Sequence, residues 1–152
     1  MHIIAAKAVC FHEALQPEFK DYAAQIIKNC KALASELQKQ GFRLVAGGTD
    51  NHLLLVDVKH SVGLSGKEAE KLLDEVHITC NKNAIPFDTE RPMVTSGIRL
   101  GTAAMTTKGY TEKEFIQIAR WISDVLKNPE DEALKERIRS EVIALTEQFV
   151  FE

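Results

Sequence analysis

Residues 42–58, FRLVAGGTDNHLLLVDV, decide the fold class of this chain. Residues 42–45 have the pattern of a short strand, and residues 52–58 contain a run of large aliphatic side chains that predicts a strand buried on both faces. Between them, AGGTDN consists of residues that favour turns. Two strands and a turn imply a sheet. Because helical patterns lie on both sides of it, we predict an α/β fold of the two-layer α+β kind, a short sheet packed against several helices.

The sequence before the sheet predicts two helices. The first begins at the start of the chain, and its apolar residues, among them Ile3 and Val9, cover a wide arc of the helix. A frayed terminal helix is one interpretation; the breadth of the apolar arc favours the other, a helix that continues from an upstream part of a longer protein. Pro17 marks the start of a second, long helix, which Gly41 ends.

The sequence after the sheet predicts three further helices. Ser65 with Glu68, and Thr111 with Glu114, form capping-box patterns ahead of apolar residues at helical spacing. Gly63 and Gly66 are expected to loosen the approach to the first of these helices. The last helix follows Pro129, and the many charges between its apolar positions predict that it packs along an outer surface.

Composition and charge exclude several classes of protein. The chain has 152 residues, of which 45% are hydrophobic, as expected for one domain with a single core. Its net charge of -3 gives no basic surface for nucleic acid or an anionic membrane, and no apolar run has membrane length. Three widely spaced cysteines and five scattered histidines indicate neither a disulfide framework nor a metal site. We therefore expect a cytoplasmic protein with no metal, nucleic-acid or membrane partner.

The candidate site lies in residues 78–102, ITCNKNAIPFDTERPMVTSGIRLGT, where prolines and polar residues interrupt the apolar periods. If this part forms a strand, Ile98 and Leu100 point to one face and Arg99 to the other, beside glycines that keep that face open. A guanidinium so placed can bind both oxygens of an α-carboxylate. An exposed arginine on an edge strand is the alternative that the spacing leaves open.

Other polar residues are weaker candidates. Asn81 and Asn83 carry amides suited to the edge of a heterocycle, although asparagines in loops are also common turn formers. Asp50 and His52 have side chains that serve in acid–base catalysis, but we interpret them as part of the turn.

Five segments in order, MHIIAAKAV, LVAGGTDNHLLLVD, LSGKEAE, ITCNKNAIPFD and VTSGIRLGT, closely resemble the C-terminal portion of bacterial serine hydroxymethyltransferase. The resemblance covers essentially the whole chain. It implies the small C-terminal domain of a fold type I pyridoxal-phosphate transferase, with residues 1–16 as the remnant of a large-domain helix and residues 17–152 as the small domain. The whole enzyme of this family converts serine and tetrahydrofolate to glycine and methylenetetrahydrofolate, uses pyridoxal-phosphate as cofactor, and is expected to be a homodimer.

The resemblance also implies roles for individual residues. Arg99 matches the arginine that binds the carboxylate of serine or glycine. Asn83 matches an asparagine that contacts the pteridine ring of tetrahydrofolate. Arg91, Pro92 and Met93 match a loop near the folate, with methionine standing where phenylalanine is common.

The cofactor-binding segments of the family have no counterpart in this chain. They carry the Schiff-base lysine, the histidine stacked on the cofactor ring and the aspartate paired with the pyridine nitrogen. Because pyridoxal-phosphate is the electron sink of the reaction, we expect no catalytic or cofactor-binding residue here and no activity of the chain alone. Two alternatives are a non-enzymatic module that binds small molecules and an aldolase-type enzyme of the same fold that needs no folate.

Overall fold

The computed structural model describes residues 1–149, and the last three residues of the predicted small domain lie outside this range. Within it the chain has seven α-helices and four β-strands. The helices are α1 (His2–Ala14), α2 (Pro17–Lys39), α3 (Val58–Val62), α4 (Gly66–Glu75), α5 (Ala103–Thr107), α6 (Glu112–Lys127) and α7 (Glu132–Glu147). The strands are β1 (Arg43–Leu44), β2 (Leu53–Asp57), β3 (Asn81–Asn83) and β4 (Gly97–Gly101).

The four strands form one antiparallel sheet in the order β1-β2-β4-β3. β4 is therefore an inner strand, in which Arg99 lies opposite Leu55 of β2 and opposite Asn81 of β3. The edge-strand alternative for Arg99 is wrong, because the asparagine-containing segment before the loop itself forms the edge strand. The predicted short sheet packed against several helices is confirmed.

The helices pack on one face of this sheet. Leu54, Val56, Ile98 and Leu100 point to that face and are buried. Residues of α2, α4 and α6 complete the core at the helical spacing that the sequence predicts, including Cys30, Leu33, Leu37, Leu73, Phe115, Ala119, Ile122 and Val125. We call the opposite face, which displays Arg99 and its strand neighbours, the open face.

β2 alternates in burial more than predicted. Leu54 and Val56 are buried, whereas Leu53 and Leu55 on the open face are only half-buried, so the prediction of a strand buried on both faces is wrong. β2 also ends one residue earlier than predicted. The reason is that Asp57 caps α3, its Oδ1 accepting a hydrogen bond from a backbone amide at 3.0 Å.

Both predicted capping boxes are present. At α4, Glu68 Oε2 accepts a hydrogen bond from the Ser65 amide at 2.7 Å, and Ser65 Oγ accepts one from the Glu68 amide at 3.3 Å. At α6, Glu114 Oε2 accepts hydrogen bonds from the amide and the hydroxyl of Thr111 at 2.9 and 2.6 Å. These bonds satisfy backbone donors at the helix starts that have no partner within the helix.

Gly66, the first residue of α4, is needed for close packing. A Cβ there would lie 2.2 Å from Thr95 Oγ1 and 2.3 Å from the Gly97 carbonyl oxygen. The expectation that this glycine loosens the start of the helix is therefore wrong. It lets α4 approach the backbone of the segment that leads into β4.

α1 lies at the surface with none of its residues buried. Its apolar residues Ile3, Ile4, Val9 and Phe11 are between 58% and 66% exposed. The wide apolar arc thus faces solvent in this chain. No helix among residues 1–149 combines the length and the apolar character needed to cross a membrane.

Candidate functional site

Arg99 lies in the middle of β4 and points to the open face. Ile98 and Leu100 on either side point into the core, as the alternation predicts. The Arg99 side chain is exposed, and its guanidinium has no ion pair or hydrogen bond with any residue that the structure describes. All its donors are therefore available to an anionic ligand.

A shallow depression of about 370 Å³ surrounds Arg99. Its other lining residues are His52, Leu53, Thr79, Cys80, Asn81 and Gly101. Imidazole, hydroxyl and amide groups therefore stand around the guanidinium, while the glycine leaves space beside it. A small carboxylate with polar substituents matches this chemistry.

His52 belongs both to the turn and to the depression. The turn is fixed by the Thr49 hydroxyl, which donates to the Leu53 carbonyl oxygen at 2.6 Å, and by Asn51 Oδ1, which accepts from the Leu53 amide at 3.0 Å. The His52 carbonyl oxygen accepts a hydrogen bond from the Thr102 amide at 3.0 Å. The histidine side chain, which sequence reasoning assigned only to the turn, is thereby held at the rim of the depression.

Two further lining residues were not identified from the sequence. Thr79 lies between α4 and β3, within the candidate stretch 78–102, but was given no role of its own. Cys80 is buried, and that burial, with the nearby carboxylates of Glu70 and Asp74, raises the pKa of its thiol to about 12. Cys80 therefore stays a thiol and is not a nucleophile.

Asn83 lies on the same face of the sheet as Arg99 but outside the depression. Asn83 pairs with Gly97, whereas Asn81 pairs with Arg99. Asn83 and Arg99 are therefore diagonal neighbours on adjacent strands, about 7–8 Å apart. The Asn83 Nδ2 donates to the Ala84 carbonyl oxygen at 2.7 Å. Its Oδ1 has no partner within residues 1–149 and remains an acceptor for a ligand.

The two glycines beside Arg99 differ in their surroundings. At Gly101 a Cβ would meet nothing closer than the His52 carbonyl oxygen at 3.6 Å. At Gly97 a Cβ would lie 2.6 Å from Ile85 Cγ2, because the loop after β3 folds back over this end of the strand. The expectation that both glycines keep the face open is correct at Gly101 and wrong at Gly97.

Arg91, Pro92 and Met93 lie on the surface of the loop that joins β3 to β4, residues 84–96. All three are exposed, Met93 by 74%. The Arg91 carbonyl oxygen accepts hydrogen bonds from the amides of Val94 and Thr95 at 2.8 and 3.0 Å, which makes this segment a turn. None of the three lines the depression around Arg99.

Asp88 is the hydrogen-bonding centre of the same loop. Its Oδ1 accepts from the Glu90 amide at 2.9 Å and the Ser96 hydroxyl at 2.6 Å, and its Oδ2 accepts from the amides of Ile85 and Ser96 at 3.2 and 2.9 Å. Burial alone raises the pKa of the carboxyl group, but these bonds outweigh it and lower the pKa to about 2. Asp88 is therefore a carboxylate at any ordinary pH.

The residues around Arg99 do not fit pyridoxal-phosphate, since none of those lining the depression is a lysine. Lys59 and Lys82, on neighbouring elements, form ion pairs with Glu90 and Glu70, each at 3.0 Å. Within residues 1–149 no group of three or more His, Cys, Asp or Glu side chains is arranged to hold a metal.

Comparison with known proteins identifies both a family and similar curated relatives. The family described as serine hydroxymethyltransferase matches residues 1–122. A curated relative named serine hydroxymethyltransferase, from Cyanothece sp. (strain PCC 7425 / ATCC 29141), is 58% identical over 148 residues. This match covers 97% of the present chain and 34% of the relative. The chain thus spans about a third of the length of the curated relative it matches.

Proposed function

The chain belongs to the serine hydroxymethyltransferase family, and on that premise we propose that it provides the substrate-carboxylate site and part of the folate pocket of such an enzyme. The whole enzyme interconverts serine and tetrahydrofolate with glycine and methylenetetrahydrofolate. The observation that carries the proposal is the guanidinium of Arg99, which lies in a polar depression on the open face and has no partner among the described residues 1–149. Membership of this family leaves the binding-module and aldolase alternatives without support.

Arg99 binds the carboxylate of serine or glycine in this proposal. Its fork of N–H donors matches the two carboxylate oxygens, and because β4 is an inner strand the backbone beneath the side chain is held on both sides. Asn81 and Thr79 stand close enough to the guanidinium to contact the polar substituents of the same ligand. Their contribution is to orientation, since the charge that attracts the carboxylate is that of Arg99.

The folate side of the site consists of Asn83 and the segment of Arg91, Pro92 and Met93. The Oδ1 of Asn83, for which the described part of the chain offers no donor, accepts a hydrogen bond from a heterocycle donor, and the exposed thioether of Met93 offers apolar contact. β3 and the loop that follows it thus supply a hydrogen-bonding group and an apolar group for the folate side of the site.

Pyridoxal-phosphate supplies the electron sink of the family's reaction when bound, and the residues described here do not hold it. We propose that the cofactor is bound by residues beyond this chain and that the chain alone has neither a cofactor absorbance band nor activity. A visible absorbance band in the purified chain after incubation with pyridoxal-phosphate would contradict this. The enzyme is proposed to be a homodimer in the cytoplasm, and the absence of disulfides among the three free cysteines supports a reducing compartment.

The test of the carboxylate role is Arg99→Ala in the full-length protein. Loss of a charge-assisted contact of this kind costs about 1.5–3 kcal/mol, so serine should bind roughly ten- to a hundredfold more weakly. Arg99→Lys should recover only part of the affinity, because a point charge does not replace the planar fork. Arg137→Ala, at an exposed arginine on α7, is the matched control and should leave serine binding unchanged. Unchanged serine affinity in Arg99→Ala would overturn the proposal.

A further inference from the structure

We propose that Asp88 is a positioning residue, which sets Asn83 and the segment 91–93 relative to Arg99 by fastening the loop 84–96 to the start of β4. The inference rests on the proposed function, because it concerns the folate side of that site. Asp88 itself acts through the loop and through Ser96. Its role is distinct from those of the residues that contact the ligands.

The carboxylate of Asp88 joins three points of the loop. It accepts hydrogen bonds from Ile85 at the entry, from Glu90 in the middle and from Ser96 at the exit, the residue that precedes β4. Each oxygen accepts two bonds, so both are used. One side chain thereby ties the end of β3, which carries Asn83, to the beginning of β4, which carries Arg99.

The backbone beside Asp88 is strained in a way that these bonds offset. Phe87 has a φ of 60°, a conformation that is unfavourable for a residue with a side chain, and Thr95 has the same φ near the other end of the loop. The Phe87 side chain is fully exposed, so its packing does not compensate for the strain. The hydrogen bonds of the adjacent aspartate are the compensation that the structure shows.

The exit of the loop is also fixed to the helices. The amide of Gly66 donates to the Thr95 carbonyl oxygen at 2.9 Å, and the amide of Lys59 donates to the Ser96 carbonyl oxygen at 3.1 Å. Ser96 is bonded to α3 through its carbonyl oxygen and to Asp88 through its amide and hydroxyl. The loop is therefore fixed in position relative to the helices. The segment 91–93 lies between these anchored points.

The experiment replaces Asp88 by Asn in the full-length holoenzyme. The asparagine side chain has only one acceptor oxygen, whereas the carboxylate accepts hydrogen bonds at both. Its NH2 group would therefore face N–H or O–H donors with which it cannot bond, and the loop would lose its fixed geometry. We expect the KM for tetrahydrofolate to rise about tenfold and that for serine to change by less than about twofold, since displacement of positioning groups by an ångström has effects of this order. Calorimetric titration with tetrahydrofolate should show the same loss of affinity, and amide hydrogen exchange in residues 84–96 should accelerate.

Two more variants complete the test. Ser96→Ala removes the hydroxyl donor but keeps the backbone bond to Asp88, so it should weaken folate binding less than Asp88→Asn does. If Asp88→Asn does not fold, the effect of Ser96→Ala on folate affinity tests the positioning role instead. Asp131→Asn is the matched control, because Asp131 accepts an amide hydrogen bond at 2.9 Å at the start of α7. It should leave both KM values unchanged.

The outcomes separate this inference from the proposed function. A folded Asp88→Asn enzyme with unchanged folate affinity, or with equal losses for folate and serine, overturns the positioning role. If Arg99→Ala also leaves serine affinity unchanged, the proposed function itself fails. If Arg99→Ala weakens serine binding while Asp88→Asn leaves folate binding intact, only the inference about Asp88 fails.

Discussion

At the scale of single residues, Arg99 and Asp88 use charge in opposite ways. Arg99 is exposed and has no partner within residues 1–149, so its charge is available to a ligand. Asp88 accepts four hydrogen bonds from its own loop, so its charge is used within the chain. In the proposed site, Arg99 provides affinity for the ligand and Asp88 provides the geometry of the loop.

Acid should remove the stabilisation that Asp88 provides. Its pKa is lowered from 3.8 to about 2 in the folded state, because the hydrogen bonds outweigh burial, which acts in the opposite direction. The contribution is therefore complete above pH 3.8 and declines as the pH falls towards about 2. In urea unfolding of the chain, the difference in unfolding free energy between wild type and Asp88→Asn should shrink across this window. A difference that is constant with pH would contradict the assignment.

The direction of Arg99 was predictable from the sequence, whereas its surroundings were not. Ile98 and Leu100 fix the face to which the guanidinium points, and alternation along a strand needs no knowledge of the neighbouring strands. The depression around Arg99 depends on His52, from the turn before β2, and on Thr79, from the residues just before β3. One sequence alone does not show that these segments meet.

At the scale of elements, the long helices follow from periodicity and capping, and the short elements do not. α3 and α5 have five residues each, too few for a helical period to be recognised. β3 consists of Asn81, Lys82 and Asn83, residue types that are uncommon in strands. It forms because β4 offers a partner and because Lys82 pairs with Glu70 of α4 at 3.0 Å.

Gly66→Ala tests how closely α4 must approach the loop exit. The added methyl group would overlap Thr95 Oγ1 and the Gly97 carbonyl oxygen, at 2.2 and 2.3 Å. Overpacking of this kind costs about 1–3 kcal/mol, so the free energy of unfolding should fall by that amount, measured by urea denaturation. Lys67→Ala, at the next and exposed position of the helix, serves as the control and should have little effect. Equal stability of the Gly66 variant and wild type would show that the helix can move away at no cost.

At the scale of the whole molecule, two surfaces are exposed in the part of the chain that the structure describes, the open face of the sheet and the apolar arc of α1. The helices leave the open face of the sheet free, and α1 exposes the side chains of Ile3, Ile4, Val9 and Phe11. The two-layer arrangement was predictable from the order of strand and helix patterns. The strand order was not predictable, because β4 pairs with β2 although α3, α4 and β3 lie between them in the sequence.

The exposed apolar arc of α1 should make the isolated chain associate. Contiguous apolar surface on a soluble protein favours contacts between molecules. We expect sedimentation velocity to show concentration-dependent association of the chain, which deletion of residues 1–15 should reduce. Because no residue of α1 is buried, the deletion should leave the unfolding temperature nearly unchanged. A complete chain that stays monomeric at all concentrations, or a deletion that unfolds the remainder, would contradict this prediction.

Of the two pairings that β4 makes, the one with β2 joins the parts of the chain that lie further apart in sequence. β3 and β4 are joined by one loop, residues 84–96. β2 and β4 are separated by residues 58–96, so bringing these two strands together costs more chain entropy. We therefore expect the strand that carries Arg99 to pair with β3 early and with β2 late during folding. We therefore expect a nascent chain to acquire a rigid form of the proposed carboxylate site only once β2 and β4 pair, so that ligand recognition would require this long-range contact.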